Sequence, residues 1–197
     1  MAVNSYPEHK NGIFYITFTC TRWLKLFQLT NSYDLIYNWF KILRKNNHQI
    51  IGFVIMPNHV HIIIHFQNNE KEIHKWISNG KRFMAYEIVE RLKNSKRDDL
   101  LNQLAEEVNE SDKMRGKKHQ VFKDSFDIKQ ILTVDFLLQK LKYIHRNPVS
   151  KHWKLAENFT DYIHSSARYY ENINFENSGV TPYWEIESLS LISTKRI

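Results

Sequence analysis

The sequence has a single cysteine, Cys20, in its 197 residues. An internal disulfide and a cysteine-based zinc site are thereby excluded, and a reducing compartment, the cytoplasm, is the expected one. No apolar run approaches the roughly 20 residues that span a bilayer. Met1 to Asn11 is polar and lacks the apolar stretch of a signal peptide. No membrane partner is therefore expected. Internal repeats and low-complexity segments are absent as well, and the length suits one domain with a sizeable core better than two. Acidic residues are in the minority: 21 Asp and Glu face 28 Lys and Arg, for a net charge of +7 and a pI near 9.3. That balance fits either a polyanionic partner or an unspecialised basic surface.

Aromatic residues are plentiful, at 14% of the chain, and many stand beside basic ones: Arg22-Trp23, Lys75-Trp76, Arg82-Phe83 and Lys151-His152-Trp153-Lys154. The mixture suits stacking on unpaired bases next to phosphate-neutralising charge. It equally suits a core built on large rings.

The pattern of apolar residues is mixed. Ile13 to Cys20, rich in β-branched and aromatic residues after Asn11-Gly12, predicts a strand. Asn31 to Lys45 carries Leu35, Ile36, Trp39, Phe40 and Leu43 at helical spacing. His48 to Met56 and Asn58 to Phe66 predict an antiparallel hairpin turning at Pro57-Asn58. From Glu70 to about Asp112 the pattern is helical, with Ile73, Trp76 and Ile77 in one stretch, Phe83, Ile88, Val89 and Leu92 in the next, and a polar break over Lys93 to Asp99. Lys113 to His119 is a basic loop, open to reading as a solvated connection or a DNA contact. Gln120 to Ile131 has room for a short strand. Asp135 to Arg146 is an amphipathic helix capped by Thr133, and Pro148 should end it near Asn147. The order predicts an α+β fold: a ferredoxin-like antiparallel sheet with helices packed on one face and a helical insertion at about 70–118. The expected organisation is one main domain over 1–170 and an appendage over 171–197.

The chemistry concentrates in Pro57 to Phe66, PNHVHIIIHF. Side chains alternate along a strand, so His59 and His61 share one face while Val60, Ile62, Ile64 and Phe66 take the other. The two histidines lie about 7 Å apart along the strand, within reach of one ion. His65 shares their face but stands about 13 Å beyond His61, which leaves it out. A histidine pair of this kind is compatible with a metal site and with ordinary hydrogen-bonded histidines.

A second constellation, Tyr143-Ile144-His145-Arg146-Asn147-Pro148-Val149, closes the helix that begins near Asp135. Four helical residues turn through about 400°, which sets Tyr143 and Asn147 on nearly one face about 6 Å apart. A tyrosine oxygen can act as a covalent nucleophile. A core-edge tyrosine followed by a helix terminator would look the same.

Met56 to His61 (MPNHVH) followed by Tyr143 to Val149 (YIHRNPV) resembles the REP-associated tyrosine transposases and the related insertion-sequence single-tyrosine transposases of the HUH superfamily. Gly12 to Thr19, Lys81-Arg82-Phe83 and Tyr162 to Tyr170 (YIHSSARYY) extend the resemblance, which covers about residues 10–170. It departs from the family pattern at Ser5 to Gly12 and over Glu171 to Ile197. The resemblance implies that His59, His61 and Asn147 are ligands of a divalent metal, Mg²⁺ or Mn²⁺, and that Tyr143 is the nucleophile. The partner it implies is single-stranded or hairpin DNA, cut to leave a 5′-phosphotyrosine and a free 3′-hydroxyl, by a monomer or a homodimer. Two further readings stand beside it. A non-catalytic single-strand nucleic-acid-binding protein needs only a basic sheet, and a hydrolytic metalloenzyme would use metal-bound water with Tyr143 incidental.

Overall fold

The computed structural model describes residues 11–67, 72–171 and 179–186. The polar N-terminus up to Lys10, the start of the helical segment at Glu70 and most of the expected appendage over 171–197 lie outside the described residues. In chain order the elements are β1 (Gly12–Thr19), α1 (Leu26–Leu29), α2 (Tyr33–Lys45), β2 (Gln49–Ile55), β3 (His59–Phe66), α3 (Ile73–Asn94), α4 (Asp98–Glu106), α5 (Glu110–Met114), β4 (Asp127–Ile131), α6 (Val134–Arg146) and α7 (Ala167–Tyr170).

The four strands form one antiparallel sheet in the order β2-β3-β1-β4. β3 separates β1 from β2, and β1 separates β3 from β4, so each helical connection crosses over an intervening strand. Two right-handed crossovers of this kind deliver their helices to the same face. Accordingly α2, α3 and α4 share one core with Phe14, Ile16 and Phe18 of β1 and Val60, Ile62, Ile64 and Phe66 of β3. This is the expected α+β, ferredoxin-like sheet.

Helices nevertheless cover both faces, not one. α6 follows β4 as an addition to the two crossovers, and Leu137, Leu141 and Ile144 pack it on the opposite face against Ile13, Ile51, Val54 and Ile63. Only that face can bring a tyrosine of α6 to the histidines of β3, because the alternation of β3 points them away from α2 and α3. β2 makes room for the helix. A register shift between Ile50 and Gly52 bends the strand, and a side chain at Gly52 would collide with Leu141.

Two helical details differ from the sequence reading. α3 is one continuous helix of 22 residues whose buried stripe runs through Ile73, Ile77, Met84, Ile88 and Leu92. Met84 takes the inward position, and Phe83 turns outward, 62% exposed, under the Arg82 guanidinium. α6 ends at Arg146, beside Asn147 as expected, but Asn147 itself keeps helical dihedrals (φ −56°, ψ −46°) despite preceding Pro148, and the chain tightens into a 3₁₀ turn over Asn147–Val149. The expected break after Asn94 is present, and Thr133 caps α6 by accepting from Phe136 N–H at 3.2 Å.

The edge of β2 is covered by the segments around Ser165 and Val180, which bridge to Val54 and Ile50. Ser166 also fastens α6 to the sheet. Its hydroxyl lies 2.8 Å from His145 Nε2 of α6 and accepts from Phe53 N–H of β2 at 2.9 Å. Within the segment expected as an appendage, Ile186 is buried in the α6 core.

Candidate functional site

The structure brings His59, His61, Tyr143 and Asn147 to the wall of one open cleft of about 1400 Å³. Five Lys and Arg side chains and one carboxylate line it, a net of +4. His59 and His61 point into it from β3, with their Nε2 atoms 3.1 Å apart. The ring of Tyr143 stands edge-on to His61, centroids 5.3 Å apart, and its side of the residue is open to solvent at 51% exposure. His65 is elsewhere, 2.9 Å from Gln49 Oε1.

Cross-strand register orients the histidines. Thr17 of β1 is the direct partner of His61, and its Oγ1 is 2.7 Å from His61 Nδ1. Tyr15, the diagonal neighbour two residues away, brings its hydroxyl to 2.8 Å from the same nitrogen. His59 is held by its own neighbour. Asn58 donates its amide N–H to the Trp23 carbonyl at 3.0 Å, which turns Oδ1 towards His59 Nδ1 at 2.6 Å. That oxygen can only accept, so His59 carries its proton on Nδ1 and leaves Nε2 as a bare acceptor.

His61 has two positions for its proton. On Nε2 it bridges to His59 Nε2; on Nδ1 it donates to the hydroxyls of Thr17 and Tyr15 and leaves both Nε2 lone pairs facing the cleft. The second arrangement is the one a cation requires. Burial keeps both rings neutral, pushing His59 down to about 4 and His61 down to about 3, the latter helped by His59 and Lys140. Burial also raises the Tyr15 phenol to about 12. Tyr15 is thus a protonated partner on the far, Nδ1, side of His61, and it is not placed as a nucleophile at Nε2.

The donor set fits a divalent ion. Two nitrogens bonded at about 2.1 Å across a right angle, as in six-coordination, are separated by about 3.0 Å. The observed 3.1 Å lets both nitrogens bond one ion at that length.

Aromatic and basic side chains frame the pair. Trp23 and Trp153 flank the His59 ring at centroid distances of 6.2 and 5.7 Å. Trp23 sits on a turn in which Arg22 (φ 50°) and Trp23 (φ 58°) are both left-handed, a conformation that costs about 1–2 kcal/mol per residue. Arg22 pairs with Glu106 and Glu107 at 3.1 and 3.3 Å and anchors the turn. Lys140, one turn before Tyr143 on α6, lies over the rings of Tyr15, Phe136 and Tyr143 at 4.9, 5.1 and 5.8 Å. The other tyrosines near the end of the chain do not line the cleft: Tyr162 donates to the Ile55 carbonyl and Tyr170 to that of Ile51, each at 2.8 Å, and Tyr169 packs on Tyr170.

Sequence reasoning missed Tyr15, Thr17, Asn58 and Lys140. A helical i, i+3 count from Tyr143 would have found Lys140. The pairing register that selects Tyr15 and Thr17 is not written in either strand alone.

The model of the IS200-like transposase family matches residues 14–105, from β1 into α4, a span that holds both histidines and stops short of Tyr143. Among solved structures, a REP-associated tyrosine transposase bound to a REP hairpin superposes with a TM-score of 0.62 at 17% identity, over 92% of this chain and 89% of that one. A putative transposase from Deinococcus radiodurans gives a TM-score of 0.42 at 11% identity, over 74% of this chain and 96% of that one. No curated protein matches. The likeness to the REP-associated transposase is one of fold, and the family model, which spans a little under half of the chain, makes residues 14–105 similar to the IS200-like transposase family, in keeping with the resemblance read from the sequence.

Proposed function

We propose that the protein is a transposase-like single-strand DNA endonuclease and strand-transferase, with Tyr143 as nucleophile and His59, His61 and Asn147 as ligands of a divalent metal, Mg²⁺ or Mn²⁺. The observation that carries this reading is the meeting, in one basic cleft, of two facing imidazole nitrogens 3.1 Å apart with a tyrosine ring against one of them. Among the described residues no third His, Cys, Asp or Glu joins the pair. The amide oxygen of Asn147, one helical turn from Tyr143 and in the same cleft, is therefore the protein donor to test.

A bound divalent ion would supply Lewis-acid charge to the scissile phosphate. The chain's own residues do the rest. His59 and His61 present neutral lone pairs because Asn58 and the Thr17–Tyr15 hydroxyls hold the protons at Nδ1. Lys140, 5.8 Å from the centre of the Tyr143 ring, carries a positive charge on the side of the cleft where negative charge would develop. The phenolic oxygen forms a bond to phosphorus, the bond from phosphorus to the 3′ oxygen breaks, and that oxygen takes up a proton to become a free hydroxyl. One phosphodiester is exchanged for one phosphotyrosine, so the reverse step on another strand needs no nucleotide cofactor. Hairpin DNA, the ligand in the REP-associated structure, is the first substrate to try.

The test is incubation with labelled single-stranded hairpin DNA and Mn²⁺, followed by a denaturing gel. A covalent protein–DNA adduct is expected, lost in Tyr143→Phe while DNA affinity stays within a few-fold. Cleavage without an adduct would favour the hydrolytic metalloenzyme, and binding without cleavage the non-catalytic module. An adduct at the normal rate in Tyr143→Phe would move the nucleophile elsewhere, and peptide mapping would locate it.

A further inference from the structure

A second concavity, of about 750 Å³, lies outside the histidine cleft, between the outward side of α3 and the chain that leads from α5 towards β4. Its helical wall is built from Ser78, Arg82, Tyr86, Val89 and Lys93. These recur every three or four residues, so they make one stripe about 22 Å long. The facing wall is the basic loop ahead of β4. Seven Lys and Arg side chains line the groove against three carboxylates, a net of +4 in a chain whose total is +7.

The carboxylates are engaged: Asp112 with Lys117 at 2.8 Å, Glu90 with Lys93 at 3.1 Å, and Asp124 with Lys117 at 3.6 Å. Arg115 reaches Asp112 only at 3.9 Å, and among the described residues Arg82 and Lys118 join no ion pair. Cationic side chains therefore face the groove without full neutralisation. The two walls are tied together from beneath, because buried Lys81 of α3 donates to the carbonyls of Lys123 and Asp124 at 2.7 and 3.2 Å.

The groove also meets the histidine cleft. Lys123, on its wall, lies 4.4 Å above the Trp23 ring, and Trp23 lines the cleft beside His59. A strand leaving the histidines on that side would pass over Trp23 and Lys123 and enter the basic channel.

We propose that this groove is a second nucleic-acid site, taking the unpaired sugar–phosphate backbone of the DNA strand on one side of the phosphate held in the histidine cleft. It rests on the proposed function only in assigning the ligand to the same strand. Phosphates face Arg82, Arg115 and Lys118, and the exposed rings of Tyr86 and Trp23 offer stacking faces that unpaired bases can use and a closed duplex cannot.

The test measures binding, not cleavage, in a Tyr143→Phe background. Fluorescence anisotropy would follow a short labelled single strand that fills the histidine cleft alone and a longer one that also fills the groove. The double variant Arg115→Ala, Lys118→Ala should bind the long strand on the order of tenfold more weakly at low salt, with the log–log salt slope shallower by about 0.7 for each lost contact. Binding of the short strand should not change, which also verifies the fold; Arg115 is 80% exposed at its side chain. Tyr86→Ala should weaken the long strand without changing the slope. A double variant with the wild-type slope on the long strand would overturn the proposal, as would equal losses on both lengths, or a loss seen only with closed duplex. If the parent chain forms no adduct while the double variant still loses slope, the groove stands and the nucleophile assignment falls.

Discussion

The two faces of the central sheet are made by the same residues in alternation, yet they do different work. On the α2–α3 face, Val60, Ile62, Ile64 and Phe66 of β3 meet Phe14, Ile16 and Phe18 of β1 in an uninterrupted apolar layer. On the α6 face, His59 and His61 meet Tyr15 and Thr17, and the aliphatic residues of β1 and β3 are limited to Ile13 and Ile63. One face is filled to the strand ends; the other stops short and leaves a cleft. The lesson is that the site's polar groups are held by strand pairing and paid for by the packing behind them, so the two faces should fail in different ways when altered.

His61→Ala should have the largest effect. If His59 and His61 hold the metal as proposed, removing one of the two nitrogens takes away charge stabilisation worth several kcal/mol, so adduct formation on hairpin DNA should fall on the order of a thousandfold. Thermal stability should fall by less than a core truncation costs, since the lost ring is a polar one bordering the cleft and not part of the apolar layer. A variant that unfolds would break the contrast between the faces.

Its chain neighbour Ile62, fully buried on the opposite face, should behave inversely. Ile62→Ala is expected to cost about 2–5 kcal/mol in urea unfolding. At temperatures where the variant remains folded, adduct formation should stay within a few-fold of the parent rate.

The third effect is on pH dependence and is read on metal-free protein. Burial pushes the His145 imidazole down to about 4, whereas the unfolded chain takes up a proton below about 6.5. Unfolding therefore gains a proton in that window: the contribution to stability is complete above pH 6.5 and is lost as the pH falls through 4. His145 should account for roughly 3 kcal/mol of acid sensitivity. His145→Gln, which keeps a hydrogen-bonding group for Ser166, should make the curve of urea midpoint against pH less steep, with His59 and His61 supplying the remaining slope, and an unchanged curve would remove His145 from the account.

The smallest effect sharpens the comparison within the imidazole face. Thr17→Val keeps the strand and its β-branch but removes the hydroxyl opposite His61, and loss of such an orienting partner typically costs 10- to 100-fold in metal affinity or activity. Isothermal titration with Mn²⁺ would measure it. Full affinity in the variant would show that Tyr15 alone suffices.

Much of this architecture was legible in the sequence because periodicity is local. The alternation that puts His59 and His61 together and Val60 apart, the hairpin turn at Pro57-Asn58 and the Thr133 cap all depend on neighbours a few residues away. What depends on assembly was not legible. The choice of face for α6 follows from its lying outside the two crossovers, and the roles of Tyr15 and Thr17 follow from pairing between strands more than forty residues apart. Phe83 joins the apolar pattern of α3 as a large ring, yet the stripe set by Ile77 and Ile88 selects Met84 for the core and turns Phe83 out. Asn147 stayed helical where Pro148 disfavours it because the chain relieves the clash by tightening into a 3₁₀ turn.

The helix bearing Tyr143 is an addition to a sheet that closes its other core without it. Its hold is confined to one side: Leu137, Leu141 and Ile144 against the strands, and His145 through Ser166. Local opening of such a unit need not wait for global unfolding. Amide hydrogen exchange should therefore resolve two classes of protection, with the amides of α6 exchanging through a lower-energy opening than those of β3. In that opening Tyr143 separates from the histidines while their strand remains intact, so under the proposed function the fraction of molecules with the two together is a thermodynamic property of one helix, adjustable by substitutions that never touch DNA.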